Sequence, residues 1–94
     1  MNRVGILAAA EECVISSRAT VHGDAEDSFA SIARLWSAYL DLPAERSLTP
    51  HDAAALLALM KLARFQHNPA HTDSAIDLAG YAALMGEMGA AHES

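Results

Sequence analysis

Residues 49–69 leave the chain little conformational choice. Thr49 is a residue type that caps helix starts, Pro50 suits the first helical position, and Asp52 follows in the first turn. The run Ala-Ala-Ala-Leu-Leu-Ala-Leu-Met-Lys-Leu-Ala-Arg-Phe continues the pattern, and Asn68-Pro69 ends it, because the residue before a proline resists the α region. This predicts a helix from Pro50 to about Gln66. The short segment His67-Asn68-Pro69-Ala70-His71 then makes the next helix an antiparallel neighbour. That helix opens at His71 or Thr72. It carries Ile76, Leu78, Ala79, Ala82, Leu84, Met85 and Met88 and is expected to fray at Gly89.

The N-terminal half repeats the helical pattern. A first helix is expected from about Asn2 to Ser17, with Val4, Leu7, Ala8, Val14 and Ile15 as its apolar stripe. The polar stretch 16–27 interrupts it, with Gly23 as the turn residue. A second helix starts near Asp24–Asp27, whose carboxylates complement the positive end of the helix dipole. Its stripe is Phe29, Ile32, Ala33, Trp36, Tyr39 and Leu40. The aromatic pair Trp36 and Tyr39 belongs to a core or interface rather than to a base-stacking platform. Residues 41–48 read as a loop. The expected fold is all-α: a single domain over residues 1–94, a four-helix bundle with an antiparallel C-terminal helical hairpin.

Composition agrees and adds a demand. The chain is 52% hydrophobic, rich in alanine and leucine, which favour helices over strands. A chain of 94 residues buries only about 60–65% of the surface that its unfolded form exposes. So much apolar surface on so short a chain predicts a homo-oligomer. No apolar run approaches the roughly 18 residues that span a bilayer. Two glutamates follow the apolar N-terminal stretch where a signal peptide needs a small-residue cleavage site. Cys13 has no second cysteine to pair with, which fits a reducing cytosol, and it reads as a small buried hydrophobe on the first stripe. The net charge is −6, with six basic residues against twelve acidic ones and no Lys/Arg cluster, which argues against binding a nucleic-acid backbone. Acidity serves solubility or, on a sharper reading, competes for another protein's basic groove.

The chemistry is concentrated in residues 61–81. Asp73 and Asp77 are one turn apart on one helix face, and Tyr81 continues that face. Two like charges at that spacing call for a cation. Mg²⁺ is one candidate, since it takes carboxylate oxygens and bridges phosphates. Lys61 and Arg64 are the other, as an ion-pair network between the two helices. Glu11 is a possible third carboxylate if it points into the bundle, with Glu12 then pointing out. His71 lies two residues before Asp73 and is positioned to orient a phosphate, although loop histidines such as His22, His67 and His71 are usually solvated. Gly80, inside a helix at a cost of about 1 kcal/mol against alanine, predicts another helix packed close. Zinc-spaced His/Cys pairs, a Ser/His/Asp set and a glycine-rich phosphate loop do not occur.

Three stretches, HGDAEDSFASIARLWSAYL, LTPHDAAALLALMKLARF and NPAHTDSAIDLAGYAAL, resemble a small family of phage and prophage proteins of unknown function. The resemblance covers nearly the whole chain, and His22 stands where members usually carry tyrosine. It implies a phage or prophage origin and brings no activity. A more distant resemblance is to the MazG-like all-α nucleoside triphosphate pyrophosphohydrolases. These hold Mg²⁺ with an E-E-x-x-E motif on one helix and an E-x-x-D motif on its neighbour, followed by an apolar run with a tyrosine. Asp77-Leu78-Ala79-Gly80-Tyr81 matches that ending. Ser74 replaces the first acid of E-x-x-D, Asp73 stands one residue early, and Glu11-Glu12 lacks the third carboxylate. The resemblance implies a nucleotide-handling protein. Mg²⁺ would be held by Asp73, Asp77 and Glu11 as the catalytic set, with Lys61, Arg64, His71 and Tyr81 around the phosphates. The alternative is a non-catalytic phage interaction protein, one that inhibits a host defence complex or sequesters a nucleotide signal.

Overall fold

The computed structural model describes residues 1–15 and 25–93, with backbone alone for 25, 26 and 91–93. Four α-helices account for most of them: α1 (Arg3–Ile15), α2 (Ala25–Tyr39), α3 (Pro50–His67) and α4 (Thr72–Glu93). A short 3₁₀ turn, Ala44–Arg46, lies between α2 and α3, and no strand occurs among the described residues. The turn predicted at Gly23, His22 and the start of α2 at Asp24 lie outside the described residues.

The expected start of α3 is present in full. The Thr49 side chain accepts a hydrogen bond from the Asp52 backbone N–H at 3.2 Å. Asp52 Oδ2 in return accepts from the Thr49 N–H at 2.9 Å. This reciprocal capping box satisfies two donors that a helix start otherwise leaves open. At the other end the Asn68 N–H donates to the Arg64 carbonyl at 2.9 Å. The Asn68 side chain then accepts from Ala70 N–H, turning the chain toward α4.

The end of α2 uses a device that the sequence hides. Asp41 takes the left-handed conformation, φ 54°. Its N–H donates to the Ala38 carbonyl at 3.1 Å, and the Leu42 N–H reaches back to Ser37 at 3.0 Å. This is the Schellman pattern, with aspartate where glycine is usual. Buried Ser37 then accepts a hydrogen bond from the Leu48 N–H at 2.8 Å, fixing the segment that leads into α3.

The core forms where α2, α3 and α4 meet. Phe29 and Ala33 of α2, Ala53 and Ala54 of α3, and Met88 of α4 are buried together, with Ile32, Trp36, Leu48, Leu57, Tyr81, Leu84 and Met85 packed around them. Alanine at the contact lets the helix backbones approach closely. The Phe29 and Tyr81 rings meet in a tilted arrangement, centroids 6.2 Å apart. Gly80 does face another helix: a Cβ there would lie 3.5 Å from Val14 of α1, in van der Waals contact.

Four expectations fail. The predicted α1 stripe does not face inward: Val4, Leu7 and Ile15 are 68%, 62% and 71% exposed. Ala10 and Val14 turn toward the protein instead. Cys13 is exposed rather than buried. The last helix does not fray at Gly89 but continues to Glu93. At the end of α2, Tyr39 and Leu40 are exposed although they continue the core spacing.

Candidate functional site

The site is built from the last turn of α3, the connection at 68–71 and the first turns of α4. Met60, Ala63, Arg64 and His67 lie on α3 at i, i+3, i+4 and i+7, so they share one face. With Asn68 and His71 they line a broad, shallow cleft. A buried serine organises its α4 side. Ser74 Oγ lies 2.7 Å from His71 Nδ1, and the Ser74 N–H donates to the His71 carbonyl at 3.1 Å. When Nδ1 accepts from the serine hydroxyl, the ring proton resides on Nε2, so His71 keeps a donor.

The carboxylates behave otherwise. Lys61 Nζ pairs with Asp77 Oδ2 at 2.9 Å, so the cation expected to offset the Asp73/Asp77 pair comes from α3. Lys61 is only 14% exposed, which strengthens the pair relative to a surface ion pair. Arg64 has no carboxylate partner among the described residues. Asp73 is exposed on the first turn of α4. Tyr81 packs on Phe29 in the core and is not among the cleft residues. Glu11 is exposed on α1.

The fit of this donor set to Mg²⁺ is therefore poor. No three His, Cys, Asp or Glu side chains gather as a possible metal site among the described residues. Asp77, one of the three expected ligands, already holds an ammonium group. What does come together is basic: Arg64, His67 and His71, with no carboxylate among the lining residues. Of the expected phosphate ligands, Arg64 and His71 meet in the cleft, while Lys61 and Tyr81 are engaged elsewhere. The sequence reads His67 as a solvated loop histidine, and the structure places it in the cleft. Its helical spacing from Met60 and Arg64 was the signal that places it with them.

Fold and cleft together define a small all-helical protein with a basic depression at one helix–helix turn. The chain belongs to the family described as "Domain of unknown function (DUF6378)", which matches residues 5–89. It is 40% identical over 87 residues to the Gene 55 protein of Mycobacterium phage L5, covering 90% of this chain and 53% of that one. It is 38% identical over 77 residues to the Gene 55 protein of Mycobacterium phage D29, covering 82% of this chain and 48% of that one. The chain thus spans about half the length of these curated relatives. No solved structure matches it. No helix among the described residues is long and apolar enough to cross a membrane.

Proposed function

We propose that this is a phage-type nucleotide-handling protein that binds nucleotide phosphates without hydrolysing them. The observation that carries the reading is the convergence of Arg64, His67 and His71 on one cleft in a chain of net charge −6. An arginine fork offers paired donors to phosphate oxygens, and the imidazoles add ring N–H donors. A MazG-like pyrophosphohydrolase would instead need Asp73, Asp77 and Glu11 around Mg²⁺. The Lys61–Asp77 pair and the exposed position of Glu11 weigh against that catalytic form. In the same reading the chain is a four-helix bundle whose α3–α4 hairpin is antiparallel and tied by Lys61–Asp77. The biological role that fits is sequestering a nucleotide signal in the cytoplasm of a bacterial host.

Isothermal titration calorimetry with a panel of nucleoside triphosphates, with and without Mg²⁺, tests this. The expected result is saturable binding that does not require Mg²⁺, releases no pyrophosphate and weakens at least tenfold in Arg64→Ala. Binding that needs Mg²⁺ and is lost in Asp77→Asn would restore the enzyme. Absence of binding by every triphosphate leaves the second reading, a protein that docks on a host complex, favoured by the net charge of −6.

A further inference from the structure

Helix α3 is apolar on two sides. One side packs Ala53, Ala54, Leu57 and Ala58 into the protein. The other presents Leu56, Leu59, Met60 and Ala63 at i, i+3, i+4 and i+7, with the first three 42%, 58% and 40% exposed. A helix apolar all round is normally covered all round, and nothing within the described residues covers this stripe.

Charge indicates the occupant. The same face begins with Asp52 and ends with His67 and Arg64, while its centre carries no charge. Asp52 stays ionised to low pH, because the Thr49 N–H bonds its carboxylate. The stripe is therefore acidic at one end and basic at the other, separated by about 22 Å along the helix. A second copy laid antiparallel across a two-fold axis sets each Asp52 end against a His67 end, while Arg64, at the edge of the stripe, is left to the cleft. Leu59 and Met60 then fall on the axis. An isologous contact requires this kind of self-complementarity.

Surface area allows it. The chain exposes 6630 Å², whereas a compact monomer of 9.9 kDa is expected to expose about 5,200 Å². The surplus is about 1,400 Å². A standard interface removes about 800 Å² from each partner.

We propose that α3 is a homodimer interface, two copies pairing antiparallel through Leu56, Leu59, Met60 and Ala63. Met60 and Ala63 belong both to this stripe and to the basic cleft, so the second copy also walls the cleft that opens beside it. That last clause rests on the phosphate reading above; the pairing does not.

Multi-angle light scattering of the full chain without nucleotide, at tens of micromolar, should give twice 9.9 kDa. Leu59→Glu should halve that mass while its helical circular dichroism persists. Val4→Glu, at a still more exposed apolar position on α1, should leave the dimer intact. If Leu59→Glu fails to fold, Leu59→Cys in a Cys13→Ser background should give a disulfide-linked dimer under a mild oxidant. A monomeric wild type overturns the proposal. So does dissociation by Val4→Glu, a Leu59→Glu protein that stays dimeric, or a Leu59→Cys protein that does not cross-link. A dimer that binds no triphosphate would remove the function and leave the interface standing.

Discussion

Helices α1 and α2 flank the same undescribed residues, and both are rich in apolar side chains, yet they obey the sequence differently. In α2 the apolar residues gather on one side, and Phe29, Ile32, Ala33 and Trp36 enter the core or pack against it as their spacing predicts. In α1 apolar residues lie all round, and the stripe chosen from spacing, Val4, Leu7 and Ile15, faces outward. One-sided patterning encodes both burial and direction. All-round patterning encodes that a helix wants covering without saying by what. α3 combines the two cases, with one apolar face inside and another outside.

The contrast is most directly broken by cutting equivalent side chains on the two helices. Phe29→Ala should cost about 3–5 kcal/mol in urea unfolding, enough to unfold much of a domain this small. Leu7→Ala, of comparable apolar character but exposed, should change stability by no more than about 0.5 kcal/mol. Comparable losses at both positions would mean that α1 is oriented differently.

The next largest effect concerns what anchors α2 to the segment before α3. Ser37→Ala strands the Leu48 N–H beside the core, since the hydroxyl is its acceptor. The expected cost is about 1–3 kcal/mol, read from the denaturation midpoint. A neutral Ser37→Ala would show that solvent reaches that amide.

A smaller effect tests the α3 cap. The Thr49 N–H above all holds the Asp52 carboxyl below its ordinary pKa; desolvation opposes it, and the Thr49 hydroxyl and nearby His51 add smaller lowering effects. A depressed carboxylate pKa stabilises the fold above the unfolded value, about 3.9. That contribution disappears as pH falls through the lower folded value. Asp52→Asn should therefore lower stability modestly at neutral pH and flatten its fall below about pH 4, by thermal melts across pH. The smallest change should be a gain. Gly80→Ala places a methyl in ordinary contact with Val14 and removes a helix-interior glycine. The melting temperature should rise by several degrees for about 0.5–1 kcal/mol. A fall would mean that α1 lies closer to α4 than the 3.5 Å spacing shows.

Much of the fold was legible where local chemistry is self-contained. Thr49, Pro50 and Asp52 announce a helix start within four residues, and Asn68-Pro69 announces its end. The Schellman turn was not legible, because aspartate at position 41 adopts a positive φ only when the flanking carbonyls and Leu42 demand it. Direction was illegible in α1 for want of a polar side. At the candidate site, spacing put Asp77 across from a basic residue of α3, and Lys61 supplies it. Tyr81 misled, since sharing a helix face with Asp77 does not fix how far round that face a core ring turns. His67 was missed because it was read as part of a loop rather than as the last turn of α3.

The central claim is that the α3–α4 turn is a basic phosphate site rather than a carboxylate metal site. Two-dimensional ¹H–¹⁵N NMR of the full chain, titrated with a nucleoside triphosphate in the absence of divalent ions, tests it most directly. The account predicts saturable shifts confined to Arg64, His67, Asn68 and His71 and their neighbours, with Glu11 unmoved. Shifts that arise only after Mg²⁺ is added, and that centre on Asp73, Asp77 and Glu11, would contradict it.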